Sequence, residues 1–479
     1  RNAAKKKTAR KSTRKVSRKA AKKKTARKSA RKLASRVAKK KATTKKTRPV
    51  LDPVIVAAWR MARQGLDQQA LHPPRDLAEA LGRSGWLAKL SGTTPYLAMV
   101  ARYASFSRHD LDHNLFHSGT LLEVPAMGGR CKILPAPDAW LALQGFRPLV
   151  DSLLKELLSR HRVMTRAGLA NLEDVVRAVL AGQALSVETL RTRVPKRLVK
   201  ELGAAGMRHG LLTTVDLALW HLWSAGEAVS RPVEKRLDRT RREYVLRRDL
   251  PGPALTADLR MRPREIWLRE LAGCYFRWVG LARAEDLAWW MDVAPAEARA
   301  TIGQLDLAPA SMRGLRGIWY LMERDLESLN NFQPSAVPAV SLVPAGDLLT
   351  SCWRSSEGLM APEDLARPMA VGGVKAAARV TSPAPGDEHF VVIGGRVAGA
   401  WQHGNDGVLR YSTFHPQSQD VSTALRRRAA AMAEFIRREL GGTGLGQARQ
   451  DGAGGLTASE EAGVPGTAGG LMGTMDVKG

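Results

Sequence analysis

The first 48 residues of the chain cannot bury a hydrophobic core, which confines folding to the residues that follow. They hold 24 Lys or Arg and no Asp or Glu. The phrase AAKKKTARKSTRK at Ala3–Lys15 returns as AAKKKTARKSARK at Ala20–Lys32. Because like charges repel and large apolar side chains are scarce here, we predict that residues 1–48 are a basic arm that is disordered when free.

This basic arm predicts a polyanion as its partner. It carries +24 of the formal net charge of +31. Each cation placed on a phosphate releases condensed counterions, which makes binding tight, independent of base sequence and sensitive to salt. The composition resembles the Lys/Ala-rich tails of linker histones and of bacterial histone-like proteins, which implies double-stranded DNA. The alternatives are RNA, or a tail that serves only import or solubility. The arm residues predicted to contact DNA are Lys5, Lys6, Lys7, Arg10, Lys11, Lys22, Lys23, Lys24, Arg27 and Lys28.

The rest of the chain has a composition typical of globular domains. No stretch approaches the roughly 18 apolar residues of a membrane span, and no signal peptide is recognisable. The three cysteines, Cys131, Cys274 and Cys352, are too scattered for a zinc site and predict reduced thiols. We therefore expect a cytoplasmic, nucleoid-associated protein with no membrane partner, no metal and no cofactor. The Gly-rich residues 441–479 predict a second disordered tail.

Between the tails, a helix-turn-helix pattern occurs three times, and in the first and third occurrences a glycine-turned hairpin follows it. In the first occurrence, helices are predicted at Val54–Leu66, Asp76–Leu90, from Pro95, and at Arg108–Phe116 with Ser107 as cap, before strands at Leu121–Met127 and Cys131–Pro135. The second contains helix Asn171–Leu180, Ser186 capping the next helix, and helix Thr214–Gly226. The third has helices Arg264–Phe276, Arg283–Met291 and Ala296–Leu305, then a hairpin of Leu305–Pro309 and Gly317–Met322.

The pattern predicts the fold class and domain division. From about Val340 the apolar period becomes that of strands, with a meander at His389–Gly395, Arg396–Gln402 and Gly407–Phe414 before a helix at Thr423–Leu440. We predict an α+β protein, mainly α, with tandem winged helix-turn-helix motifs and a small C-terminal β-barrel-like module. The predicted segments are 1–48 (arm), 50–145, 146–250 and 251–340 (three winged helices), 341–440 (β-rich module) and 441–479 (tail).

Several phrases together resemble the AlkZ/YcaQ-like family of winged-helix DNA-binding proteins, which includes bacterial glycosylases for alkylated and crosslinked bases. They are Thr94–Asp112, Lys132–Asp138, Ala218–Arg231 with Arg236–Leu246, Cys274–Met291 and Val391–Gln402. Their order and spacing match the family from about Val50 to Leu440. The resemblance implies tandem winged helices around a concave DNA-binding face.

The chain departs from this family at the positions that carry catalysis. Glycosylase members have Gln-x-Gln or Gln-x-Asp shortly before the Pro-Tyr-Leu segment, and these residues position the attacking water. The corresponding positions here are Ala88 and Leu90, which cannot hold or polarise a water. Family hairpins also often carry Arg-Gly, where this chain has Gly128-Gly129 followed by Arg130. The prediction is a DNA-binding member that is not an ordinary glycosylase; an active glycosylase and an RNA-binding protein are the alternatives.

Three other sets of residues could act in catalysis or ligand binding, and each also has a structural interpretation. Lys89 could attack the sugar C1′ as an amine nucleophile, but a phosphate or solvent contact is the favoured interpretation. His109, His113 and His117 share one helical face and could ligate zinc, but no further ligand is recognisable, so a polar stripe is predicted. Tryptophans could stack on unpaired bases or belong to the core, namely Trp220, Trp223, Trp289 and Trp290.

Cations outside the arm complete the predicted DNA interface. Five follow the second helix-turn-helix with no acid among them, and two lie at the tip of the third hairpin. With Lys89 and Arg130, they are Arg191, Arg193, Lys196, Arg197, Lys200, Arg313 and Arg316. A similar but weaker group is Arg241, Arg242, Arg247 and Arg248.

Overall fold

The computed structural model describes residues 48–67, 76–252, 262–365, 368–371, 374–379, 389–404 and 407–441. The chain divides into two units, residues 1–49 and 50–479, and all of the described helices and strands lie in the second. Almost all of the predicted arm and the Gly-rich tail therefore lie outside the described residues. None of the helices in the described ranges combines the length and apolar character that a bilayer crossing requires.

Fifteen α-helices are described in the second unit. They are α1 (Pro53–Arg63), α2 (Leu77–Ser84), α3 (Thr94–Val100), α4 (Arg108–His113), α5 (Ala139–Leu154), α6 (Arg166–Leu180), α7 (Val187–Arg193), α8 (Gly203–Met207), α9 (Thr214–Ser224), α10 (Arg264–Val279), α11 (Ala284–Met291), α12 (Pro295–Ile302), α13 (Leu326–Asn330), α14 (Leu348–Ser351) and α15 (Gln419–Leu440). Helices α4 and α5 continue into π-helical turns at Asn114–Ser118 and Lys155–Arg160.

The described strands form five small sheets. The strands are β1 (Val50–Leu51), β2 (Leu87–Ala88), β3 (Leu121–Pro125), β4 (Cys131–Pro135), β5 (Ala228–Pro232), β6 (Arg242–Leu246), β7 (Leu281–Arg283), β8 (Leu307–Met312), β9 (Leu315–Met322), β10 (Val340–Val343), β11 (Pro368–Val371), β12 (Val374–Arg379), β13 (His389–Ile393), β14 (Arg396–His403) and β15 (Leu409–Thr413). The sheet orders are β1-β8-β9-β7, β2-β4-β3, β5-β6, β10-β13-β14-β15 and β11-β12. The fold is thus mixed α+β, as predicted.

Two helices begin at the capping residues that the sequence predicted. The Ser107 hydroxyl accepts a hydrogen bond from the His109 amide, and Asp110 bonds back to the Ser107 amide, which completes a capping box at α4. Ser186 caps α7 by accepting from the Thr189 amide at 3.2 Å. Both predicted caps are confirmed.

The helix predicted over Asp76–Leu90 is shorter than expected. Helix α2 ends at Ser84 because Gly85 has a φ of 98°, a conformation that glycine adopts without strain. A Cβ at Gly85 would also lie 2.3 Å from a Leu348 methyl carbon. The residues after Gly85 form β2 instead, so Ala88 lies on a strand.

Sheet β2-β4-β3 separates two hydrophobic clusters. Leu121 and Ile133 point into a cluster shared with α3 and α15. Leu122 and Leu134 point into a second cluster, built mainly on α5, α10 and the sheet containing β9. Both faces of this sheet are therefore packed, which is unusual for so small an antiparallel sheet. A third cluster lies among α5, α6, α7 and α9.

The predicted C-terminal β-barrel-like module is wrong. In the described residues, β10, β13, β14 and β15 form an open antiparallel sheet, and β11 and β12 pair only with each other. Helix α15 packs its apolar stripe, including Leu425 and Phe435, in the same cluster as Leu342, Val391 and Trp401 of this sheet. A helix that covers one face buries the apolar side chains without requiring closure. The helix and hairpin units agree with the sequence pattern, while their assignment as winged helices stays a prediction.

Candidate nucleic-acid interface

Ala88 and Leu90, the two positions that the resemblance aligns with the Gln-x-Gln or Gln-x-Asp of glycosylases, carry packed apolar side chains. Ala88 is 9% exposed. A Cβ added at Gly346 would lie 2.5 Å from the Leu90 Cδ1 and 3.3 Å from the Ala88 Cβ, so both side chains pack against this glycine. The cavity beside Ala88, lined also by Arg102 and Asp347, holds about 10 Å³. That is at most the space of one water molecule.

Lys89 points to the other side of the strand and is held by an ion pair. Its Nζ lies 2.8 Å from the Glu123 Oε1, and the exposed fractions of the two side chains are 10% and 8%. Arg242 binds the same carboxylate at 3.2 Å. Burial raises the pKa of Glu123, but Arg242 and Lys89 outweigh it, so the pKa lies below the ordinary glutamate value. Attack on a sugar or contact with a phosphate by Lys89 would require this pair to open.

Lys132 lies directly across the ladder from the first of the two positions. Strands β2 and β4 are antiparallel with Ala88 opposite Lys132, and β3 places Val124 opposite Lys132 on its other side. Directly opposed residues share one face of a sheet. The Lys132 side chain is half-buried. Burial, with a contribution from Arg130, lowers the pKa of Lys132 to about 8.

The loop between β5 and β6 closes over the start of α3. The Leu237 amide donates a hydrogen bond to the Tyr96 hydroxyl at 2.8 Å, and that hydroxyl in turn bonds the Asp112 carboxylate. A Cβ at Gly92 would lie 2.2 Å from the Leu237 carbonyl oxygen. The second hairpin is thereby fixed beside the segment that contains Ala88 and Leu90.

The three histidines form the stripe that the sequence predicted. The His109 and His113 rings stack at 6.0 Å between centroids, and His113 and His117 at 5.7 Å. Partial desolvation, Lys235 and the neighbouring rings lower the pKa of His117. Among the described residues, no three His, Cys, Asp or Glu side chains converge as a metal site would need.

The cluster after the second helix-turn-helix divides into inward and outward cations. Arg191 forms an ion pair with fully buried Asp216, at 2.7 Å. Arg193 donates to the Gln183 side-chain oxygen at 2.5 Å and stays exposed. Lys196, Arg197 and Lys200 are exposed. The outward members are accessible to solvent, whereas Arg191 supports the fold through its pair with Asp216.

The remaining residues predicted to contact DNA or bases differ in their exposure and in their pairing. Arg130 is exposed at the tip of the β3–β4 hairpin, and Arg316 is exposed on β9. Arg313 pairs with Asp52 at 3.2 Å. The candidates of the arm lie outside the described residues. Trp220 and Trp223 are core residues, 4% and 5% exposed, whereas Trp289 is 37% exposed.

Comparison with known proteins gives the family. A sequence model described as DNA glycosylase AlkZ-like matches residues 90–435. The chain belongs to the AlkZ-like DNA glycosylase family. Among solved structures it is similar to Streptomyces sahachiroi DNA glycosylase AlkZ, with a TM-score of 0.59 and 19% identity, over 81% of this chain and 98% of that chain. No curated protein sequence matches the chain significantly.

Sequence reasoning missed two charged side chains near Ala88 and Leu90. Glu123 is the one acid in the apolar strand β3, and Lys132 is the one cation in β4. A charged residue inside an apolar strand was the available signal. The family match begins at Leu90, so Ala88 and Lys89 lie just before it while Glu123 and Lys132 fall within it.

Proposed function

We propose that this AlkZ-like protein binds double-stranded DNA through tandem winged helices and its basic arm, in the cytoplasm at the nucleoid, without releasing bases by water attack. Family membership supports DNA as the partner. The hairpins β3–β4 and β8–β9 supply the wings. The exposed cations Lys196, Arg197 and Lys200 supply contacts to the backbone, which position a duplex without reading its sequence.

One observation carries the proposal that hydrolysis is absent. Ala88 and Leu90 offer no hydrogen-bond donor or acceptor from their side chains, and both pack against Gly346. Water-orienting and general-base groups contribute about two to four orders of magnitude to rate. A site that lacks both groups cannot orient or deprotonate a nucleophilic water, and the roughly 10 Å³ beside Ala88 leaves room for one water at most.

Incubation with damaged duplex tests the proposal. The full chain is mixed with duplexes that carry 7-alkylguanine or an interstrand crosslink, and abasic sites are counted after alkaline cleavage. We expect duplex binding in a gel-shift assay and no base release above background. Base release at a rate comparable to a glycosylase control would contradict the non-catalytic part. A protein that shifts A-form RNA but not B-form DNA at matched salt would contradict the DNA part.

An active glycosylase is the second candidate, and the family match favours it. Its nucleophile would have to be a group other than a water held at positions 88 and 90. If Lys89 were that group, base release would disappear in Lys89→Ala and persist in Lys155→Ala, an exposed lysine on the π-helical turn after α5. We expect neither variant to change the background, because Lys89 is held by Glu123.

A further inference from the structure

Lys132 lies opposite Ala88, one of the two positions that the resemblance aligns with the water-positioning residues of glycosylases. Ala88 and Val124 flank it across the ladder, so the lysine stem lies between two apolar side chains. Within the described residues, its amine makes no ion pair with a carboxylate, in contrast to Lys89 on the opposite face. Burial without a partner disfavours the charged form of an amine.

We propose that Lys132 is a nucleophile that condenses with the C1′ aldehyde of an abasic nucleotide in bound DNA. The inference rests on the proposed function, because the duplex must first be held against the β3–β4 hairpin. Lys132 lies in the strand that leaves the hairpin tip, three residues after Gly129, and its side chain remains half-buried rather than enclosed. An abasic nucleotide opposite the hairpin could therefore reach it.

The proposed condensation needs only the amine of Lys132 and the aldehyde of the abasic nucleotide. The neutral amine adds to the aldehyde carbon, the carbinolamine loses one water, and a C=N bond replaces the C=O bond. No oxidant, reductant or activated water takes part, so the reaction suits a site with Ala88 and Leu90. With a pKa of about 8, roughly a quarter of the Lys132 side chains are neutral at pH 7.5, against about a thousandth for an ordinary lysine.

Borohydride trapping tests the inference on the full chain. A duplex with one abasic site is incubated with the protein, the imine is reduced, and the covalent complex is counted on a denaturing gel. Binding to the same duplex is measured in parallel. Peptide mapping then assigns the modified lysine, which separates Lys132 from the lysines of the arm. We expect Lys132 to carry the adduct, and the yield of adduct outside the arm to fall at least about tenfold in Lys132→Arg and to be unchanged in Lys155→Arg.

The pH dependence of trapping gives a second readout that needs no variant. The yield at Lys132 should rise with a midpoint near pH 8, whereas arm lysines should rise only toward their ordinary pKa of about 10.4. Bound duplex without an adduct at Lys132 overturns the inference and leaves the proposed function standing. Adduct outside the arm that survives Lys132→Arg at full yield also overturns it. Failure to bind any duplex overturns the proposed function and this inference together.

Discussion

The Lys89 Nζ lies 2.8 Å from the Glu123 Oε1, in an ion pair whose side chains are about nine-tenths buried. Arg242 joins the same carboxylate from β6. The pair connects the segment that contains Ala88 and Leu90 to both the first and the second hairpin. Glu123 therefore neutralises two cations whose side chains are each 10% exposed.

We predict that Glu123→Gln strongly destabilises the fold. The substitution keeps the shape but leaves Lys89 and Arg242 buried without a countercharge, which costs about 3–5 kcal/mol when one partner of a buried pair is removed. Urea denaturation followed by circular dichroism measures the free energy of unfolding. Glu434→Gln, in the exposed pair with Arg437 on α15, is the matched control and should change it by less than about 1 kcal/mol. Equal effects in both variants would show that the Glu123 pair does not stabilise the fold.

The stabilisation from Glu123 should also depend on pH in a defined direction. Its pKa is lower in the folded protein, so its contribution is fully present above the ordinary glutamate pKa of about 4.3 and is lost as the pH falls through the lowered value. The difference in unfolding free energy between wild type and Glu123→Gln should be flat from pH 7 to 5 and shrink below about pH 4.3. A difference that grows on acidification would contradict the assignment.

Gly346→Ala should destabilise the protein by about 1–3 kcal/mol, because the new methyl group overlaps the Leu90 side chain and the φ of 71° disfavours any Cβ. Gly82→Ala is the control, since nothing lies within 4 Å of a Cβ there and the residue is inside α2. That variant should be neutral or more stable by up to about 1 kcal/mol. Thermal unfolding of the two variants compares them directly. Equal melting temperatures would mean that Leu90 does not pack on Gly346.

Substitution of Arg191 should lower stability, whereas substitution of its exposed neighbours Lys196 and Lys200 should weaken duplex binding. Lys196→Ala and Lys200→Ala should weaken duplex binding and reduce the salt slope by about one each, with unchanged melting temperature. Arg191→Ala should lower the melting temperature, because it leaves the Asp216 carboxylate buried without its cation. Fluorescence anisotropy over a salt series, combined with thermal scans, separates the two effects. If Arg191→Ala reduced only the salt slope, its structural role would be refuted.

Deletion of residues 1–48 should flatten the dependence of log K on log[salt]. Each phosphate contact contributes about 0.9 to that slope on B-DNA, and the arm holds 24 of the chain's 76 Lys and Arg. The expected result is a loss of several units of slope. Replacing the arm with a Gly/Ser segment of equal length controls for its bulk. An unchanged slope would exclude the arm from the DNA interface.

The sequence could predict features that neighbouring residues decide, but not contacts between residues that are far apart in the chain. Ser107 and Ser186 were recognisable because a cap is decided within four residues. The pairing of Lys89 with Glu123 joins residues 34 positions apart, and nothing local encodes it. Hairpin β5–β6 was missed because its nine-residue connection, Val233–Arg241, is charged and lacks the glycine of a tight turn. The barrel was wrong because strand periodicity does not reveal whether a sheet closes.

The three-stranded sheet that contains Ala88 and Lys132 is anchored on both sides. A slip of one residue would exchange every inward and outward side chain, and here it would drive Leu121 and Leu122 into the wrong clusters at once. The packing on both faces therefore fixes the register that places Ala88 opposite Lys132. A duplex bound as proposed would have to bend, or turn a nucleotide outward, to bring that nucleotide to Lys132.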